Sequence, residues 1–209
     1  MRNITPVAVW ISLACLVSIV AASQDYSGFD LAVSEWIQGN LLASFEGIAK
    51  TFHQFGTTKW GLVEIAAVAC IFAIRREWIY ASWSGALVVP NLIAKALKSL
   101  IARPRPDAGL VYISVDSVSG YSFPSGHMVH FTLLLGTILY FGLLPKLAGA
   151  SRILVSVGAV MILGAIGISR VLLGVHWASD VVGGVIWAGT FLSVIIYLDR
   201  QIMPKLFKK

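Results

Sequence analysis

RILVSVGAVMILGAIGISRVL, residues 152–172, carries no charge between Arg152 and Arg170. A bilayer core about 30 Å thick is crossed by about 20 mostly apolar residues in a helix. This run has that length, and a cation stands near each end. Working outward, five further runs have the same character, at roughly 6–23, 57–74, 78–100, 124–144 and 177–198. The chain is therefore expected to be an all-α integral membrane protein of six transmembrane helices, a single six-span domain over 1–209. Composition agrees. Of 209 residues, 57% are apolar and only 12% charged, against about 25% charged in soluble domains. A net charge of +6 would suggest nucleic acid in a soluble protein, but here the cations sit at the ends of apolar runs. The expected partner is the bilayer, and no nucleic acid. The sequence carries no signal for oligomeric state.

The first run has the length of a signal peptide, and Val20-Ala21-Ala22 resembles a cleavage site. Its leading segment holds only Arg2, which favours an uncleaved span. Cys15 and Cys70 lie inside apolar runs and are expected to be small buried hydrophobes, which excludes a disulfide framework. Pro90 is expected to kink the third span. Residues 24–56 break the pattern. Phe29, Leu31, Trp36, Ile37, Leu41, Phe45, Ile48 and Phe52 recur at loose helical spacing among Asp30, Glu35, Glu46 and Lys50. One or two short amphipathic helices are expected on the outer surface, broken at Gly39-Asn40.

Cytoplasmic termini place nine Lys and Arg with two acids inside, and seven with eight acids outside. The inner set is Arg2, Arg75, Arg76, Lys146, Arg152, Arg200, Lys205, Lys208 and Lys209, as the positive-inside rule asks. Trp60, Trp78, Tyr80, Trp177 and Tyr197 fall near span ends, where interfacial aromatics are expected. Three polar segments then share the outer side: Lys98 to Pro106, Phe123 to His127, and Ser169 to Asp180.

In the first of these, Lys98 ends a span and two X-Pro steps extend the chain, so that long cations can turn to one phosphate. In the second, Pro124 suits the first position of a helix. The N–H groups of Ser125, Gly126 and His127 would then be free to bind an anion. In the third, a helix beginning near His176 would put His176 and Asp180 on one face. The carboxylate would fix the imidazole tautomer and leave one nitrogen free as a nucleophile. Arg170 adds a third cation. Outside these segments His130 is expected to pack, His53 to sit at the interface, and Glu64 to pair with Lys95.

These segments resemble the three signature motifs of the type 2 phosphatidic acid phosphatase family, whose superfamily includes the vanadium haloperoxidases. The pattern Lys, six residues, Arg-Pro selects Lys98, Arg105 and Pro106, and passes over Arg103. Pro-Ser-Gly-His is Pro124 to His127, and Ser-Arg, five residues, His, three residues, Asp is Ser169, Arg170, His176 and Asp180. The resemblance implies hydrolysis of a lipid phosphate without metal or other cofactor, through a phosphohistidine. His176 would be the nucleophile, Asp180 its orienting partner and His127 the acid and base. Lys98, Arg105, Ser125, Gly126 and Arg170 would bind the phosphate. Phosphatidylglycerol phosphate, phosphatidic acid and undecaprenyl pyrophosphate are the candidate substrates. A lipid phosphotransferase would use the same residues. A transporter would need polar positions along several spans, and most spans here are apolar throughout.

Overall fold

The computed structural model describes residues 4–115 and 118–206, with side chains through Gln201. Arg2, Lys208 and Lys209, and the side chain of Lys205, lie outside the described residues. Among the described residues there is helix and loop but no strand: α1 (Thr5–Ser23), α2 (Gly28–Phe55), α3 (Thr58–Ile74), α4 (Trp78–Gly85), α5 (Val88–Ile101), α6 (Gly126–Thr137), α7 (Gly149–Leu172) and α8 (Ala178–Leu206). A π-helical turn, Ile138–Leu143, and a 3₁₀ turn, Leu144–Lys146, prolong α6.

Among the described residues five spans are long and apolar enough to cross a membrane: α1, α4 with α5, α6 with its extension, α7 and α8. Helix α3 has 17 residues, the lower end of what crosses a bilayer, and counted with α2 across their bend it gives a sixth candidate span. Large apolar side chains point outward, among them Ile19, Ile153, Leu154 and Met161, each about two-thirds exposed or more. In water that surface would be a liability, whereas in hydrocarbon it is the solvated face. Cys15 and Cys70 are exposed on this outer surface. The expectation that they are buried carried over a rule for soluble cores.

The third span is two helices. Around the break, Leu87 N–H donates to Ser84 C=O and Val89 N–H to Ala86 C=O, each bond spanning three residues rather than four. Pro90 explains the position, since it has no N–H to return to Ala86. Helix α2 departs further from expectation. It runs unbroken through Gly39 and Asn40, starts with a reciprocal capping box between Ser27 and Asp30, and meets α3 at a 68° bend. The real break is therefore at Gly56-Thr57. The inner face of α2 buries Ile37 and Ala49 on Val171, Leu172, Leu173 and Val175, so this surface helix covers the loop between α7 and α8.

The main core joins α3, α5, α6 and α8 through Val68, Phe72, Ala94, Val129, Leu133 and Ala188. Helices α6 and α8 approach closely at Gly184, where a β-carbon would sit 2.8 Å from the Ser125 carbonyl and 2.7 Å from the Met128 Cβ. That contact sets the start of α6 against the first turn of α8.

Candidate active site

The polar heart of the molecule begins with Arg103, which the motif spacing passed over. Its guanidinium donates through Nη1 to Asp180 Oδ1 at 2.7 Å and through Nη2 to Asp30 Oδ2 at 2.9 Å. All three side chains are essentially inaccessible. Asp30 Oδ1 also accepts from the Ser179 backbone N–H and hydroxyl, at 2.9 and 2.7 Å. The capped end of α2 is thus tied to the first turn of α8 by a buried ion triad. Asp180 Oδ2 accepts from the Trp177 N–H at 2.9 Å and stands 3.5 Å from His176 Nδ1, too long for a good hydrogen bond. His176 precedes α8 rather than opening it, so the pair meets across a cap and not along a helical face. Trp177, expected at the interface, is buried and stacks on Tyr26 with ring centroids 5.0 Å apart.

The other imidazole nitrogen, Nε2, faces Arg105 Nη1 at 3.5 Å. Arg105 is braced by the carbonyls of Val175 (2.6 Å) and Gly120 (2.9 Å). Lys98 Nζ donates to the carbonyls of Ser122 (2.9 Å) and Tyr121 (3.2 Å). Burial pushes the basicity of His176 well below that of an ordinary imidazole, and the positive charges of Lys98, Arg105 and Arg170 push it further. Both effects favour the neutral imidazole, with an available lone pair. Lys98→Met should raise that basicity and move the acid limb of the kcat/KM–pH profile to higher pH, alongside about a 10²-fold loss of rate. An acid limb left where it is in the wild type would contradict this electrostatic coupling.

The start of α6 differs from expectation by two residues. Ser125 is the N-cap and Gly126 the first helical residue. Pro124 lies outside the helix, after a cis peptide bond with Phe123. The Ser125 N–H is engaged with the Asp180 carbonyl at 3.1 Å, so the unpaired first-turn amides begin at Gly126. The Ser125 hydroxyl is buried with no hydrogen-bond partner among the described residues, an orphan of the kind an oxyanion satisfies.

His53, expected only at the interface, is also part of the site, near the end of α2. Its Nδ1 is 3.0 Å from Arg170 Nη1, so it is the acceptor there. Its carbonyl lies 3.0 Å from His127 Nε2, which fixes the proton on that nitrogen. The two imidazoles stack at 5.4 Å. Arg170 is further held by the Ala49 carbonyl and the Ser169 hydroxyl. Gly56 leaves room for the His127 ring, which any β-carbon there would overlap. Glu64 pairs with His130 at 2.7 Å and not with Lys95, so His130 is more than a packing residue. The capping sequence Ser27 to Asp30 was the one local signal for the α2 contribution; nothing local marks His53.

Lys98, Arg105, Ser125, Gly126, His127, Arg170, His176 and Asp180 thus converge from α5, α6, α7, α8 and two loops. Among the described residues, no group of three or more His, Cys, Asp or Glu is placed to hold a metal ion.

The chain is 34% identical over 140 residues to decaprenylphosphoryl-5-phosphoribose phosphatase of Mycobacterium tuberculosis, covering 65% of this chain and 69% of that one. It is 38% identical over 111 residues to phosphatidylglycerophosphatase B of Bacillus subtilis, covering 49% and 52%. The crystal structure of a transmembrane PAP2-type phosphatidylglycerolphosphate phosphatase from Bacillus subtilis superposes with a TM-score of 0.76 at 26% identity, over 96% of this chain and 98% of the other. Residues 79–203, which hold all three motifs, match the PAP2 superfamily, and the chain belongs to that family.

Proposed function

We propose that the chain, a lipid phosphatase by family, removes a terminal phosphate from a membrane lipid through a phosphohistidine formed on His176, at the outer face of the cell membrane. The observation that carries this reading is the contact of His176 Nε2 with the Arg105 guanidinium, with Asp180 behind the opposite nitrogen. The Nε2 lone pair attacks phosphorus, the bond to the leaving oxygen breaks, and His127 gives that oxygen a proton. Because His127 Nε2 is engaged with the His53 carbonyl, the transferable proton belongs on Nδ1. In the second step His127 takes a proton from water, the hydroxide attacks phosphorus, and the N–P bond breaks to release inorganic phosphate. Acid–base help of this kind contributes about 10²–10⁴-fold. Lys98, Arg105, Arg170, the Ser125 hydroxyl and the amides from Gly126 onward hold the non-bridging oxygens, where charge spreads as the phosphoryl group transfers.

Phosphatidylglycerol phosphate, phosphatidic acid and undecaprenyl pyrophosphate are the candidate substrates, and the names of the relatives support lipid phosphates of these kinds. Sidedness rests on the cations. Arg75, Arg76, Lys146, Arg152 and Arg200 lie at the other end of the spans, which the positive-inside rule makes cytoplasmic. The test is release of inorganic phosphate from these three lipids by purified protein in detergent, with excess chelator. Turnover should survive the chelator, and quenching in base should trap an acid-labile phosphoenzyme. Loss of turnover on chelation, or a phosphoenzyme stable to acid, would sink the mechanism.

A further inference from the structure

Between α3, α5 and α6 a cavity of about 320 Å³ opens beside the phosphate-binding residues. On α5 it is lined by Val88, Asn91, Leu92, Ala94, Lys95 and Lys98, all but Ala94 following one face of the helix from its inner to its outer end. At about 1.5 Å per residue, Lys95 lies about 4.5 Å along the axis from Lys98, and Leu92 as far again. On α3, Leu62 and Ile65 line the apolar end. The cavity is therefore ordered along its length as a mostly apolar wall that also carries Asn91 and His130, then a cation, then the cationic reaction site.

Lys95 forms no hydrogen bond or ion pair among the described residues. The carboxylate within the neighbouring span that would neutralise it, Glu64, is engaged by His130. A cation on a membrane span without a counter-charge is costly, and such residues mark substrate paths. Snorkelling to the interface would lower the cost of a lone lysine. It does not explain why Lys95 lines the same cavity as Lys98, Arg105 and His127.

Resting on the phosphatase reading above, we propose that this cavity is built for lipids carrying a second phosphate between the phosphate removed and the carbon chain, and that Lys95 holds that second phosphate. Prenyl diphosphates and phosphatidylglycerol phosphate have this order of groups, and phosphatidic acid does not. The inference thus divides the candidate substrates by their chemistry, and makes Lys95 a specificity residue.

Farnesyl diphosphate and farnesyl phosphate share a tail and differ by one phosphate, so their kcat/KM ratio isolates the second group. Wild type, Lys95→Gln and Lys95→Arg are compared on both in detergent, by release of inorganic phosphate. A hydrogen bond to a charged group corresponds to about 10- to 100-fold. Lys95→Gln should lower the diphosphate-to-monophosphate ratio at least tenfold, chiefly through KM, and Lys95→Arg should restore most of it. An unchanged ratio in Lys95→Gln overturns the proposal, as does a parallel loss on both substrates, the mark of a structural lysine. If wild type turns over neither farnesyl compound but releases phosphate from phosphatidic acid, this inference fails and the phosphatase reading stands; release from none of these lipids sinks both.

Discussion

His176→Ala should lower kcat/KM on any lipid phosphate by about 10⁴-fold or more, since loss of a covalent nucleophile removes the whole route and not one contact. Its removal should leave the fold intact. Nδ1 makes only the 3.5 Å contact with Asp180, and Asp180 keeps its bonds to Arg103 and the Trp177 N–H. The unfolding midpoint in detergent should therefore stay close to that of the wild type while phosphate release and phosphoenzyme both disappear. Residual turnover above about one per cent, with the protein folded, would remove His176 from the role of nucleophile.

Arg103→Met should cost about 3–5 kcal/mol of stability, the range for breaking a buried ion pair from one side. The loss is large because the arginine is shared. Without it Asp30 and Asp180 face each other's environment with no cation, in a place water does not reach. Activity should fall as well, because Asp180 stands behind the His176 ring. Arg103→Lys should recover only part of either loss. One ammonium cannot reproduce the fork that reaches Asp180, Asp30, the Ser179 hydroxyl and the Asp25 carbonyl together. Denaturant titration of the purified variants checks this, and a midpoint for Arg103→Met indistinguishable from wild type would refute it.

The spans and the three motif segments were legible because their signals are local. An apolar run declares itself within about twenty residues, and motif spacing is read directly. Arg103, Asp30 and His53 were not legible, because their partners lie far along the chain. Arg103 is 73 residues from Asp30 and 77 from Asp180, and His53 is 117 from Arg170. Spacing even argued against Arg103, since the motif needs only one arginine and Arg105 fills it. Glu64 misled for another reason. Opposite charge pointed to Lys95, but the geometry gave the carboxylate to His130. Trp177, Cys15 and Cys70 differ from expectation because of their surroundings. An aromatic near a span end is not always at the interface, and outside means hydrocarbon in this molecule.

Helix α2 was read as a surface element, yet it touches the site at both ends. Asp30 grips Arg103 and Ser179 near its start, and His53 meets Arg170 and His127 near its finish. Each helical residue turns the chain by about 100°. Adding or deleting a single residue anywhere between these anchors would swing one of them off its partner. A segment whose outward face carries apolar Phe29, Trp36 and Phe45 beside polar Glu35, Asn40 and Lys50 can thus change in side chain more freely than in length: the helix acts as a ruler whose registration is part of the site.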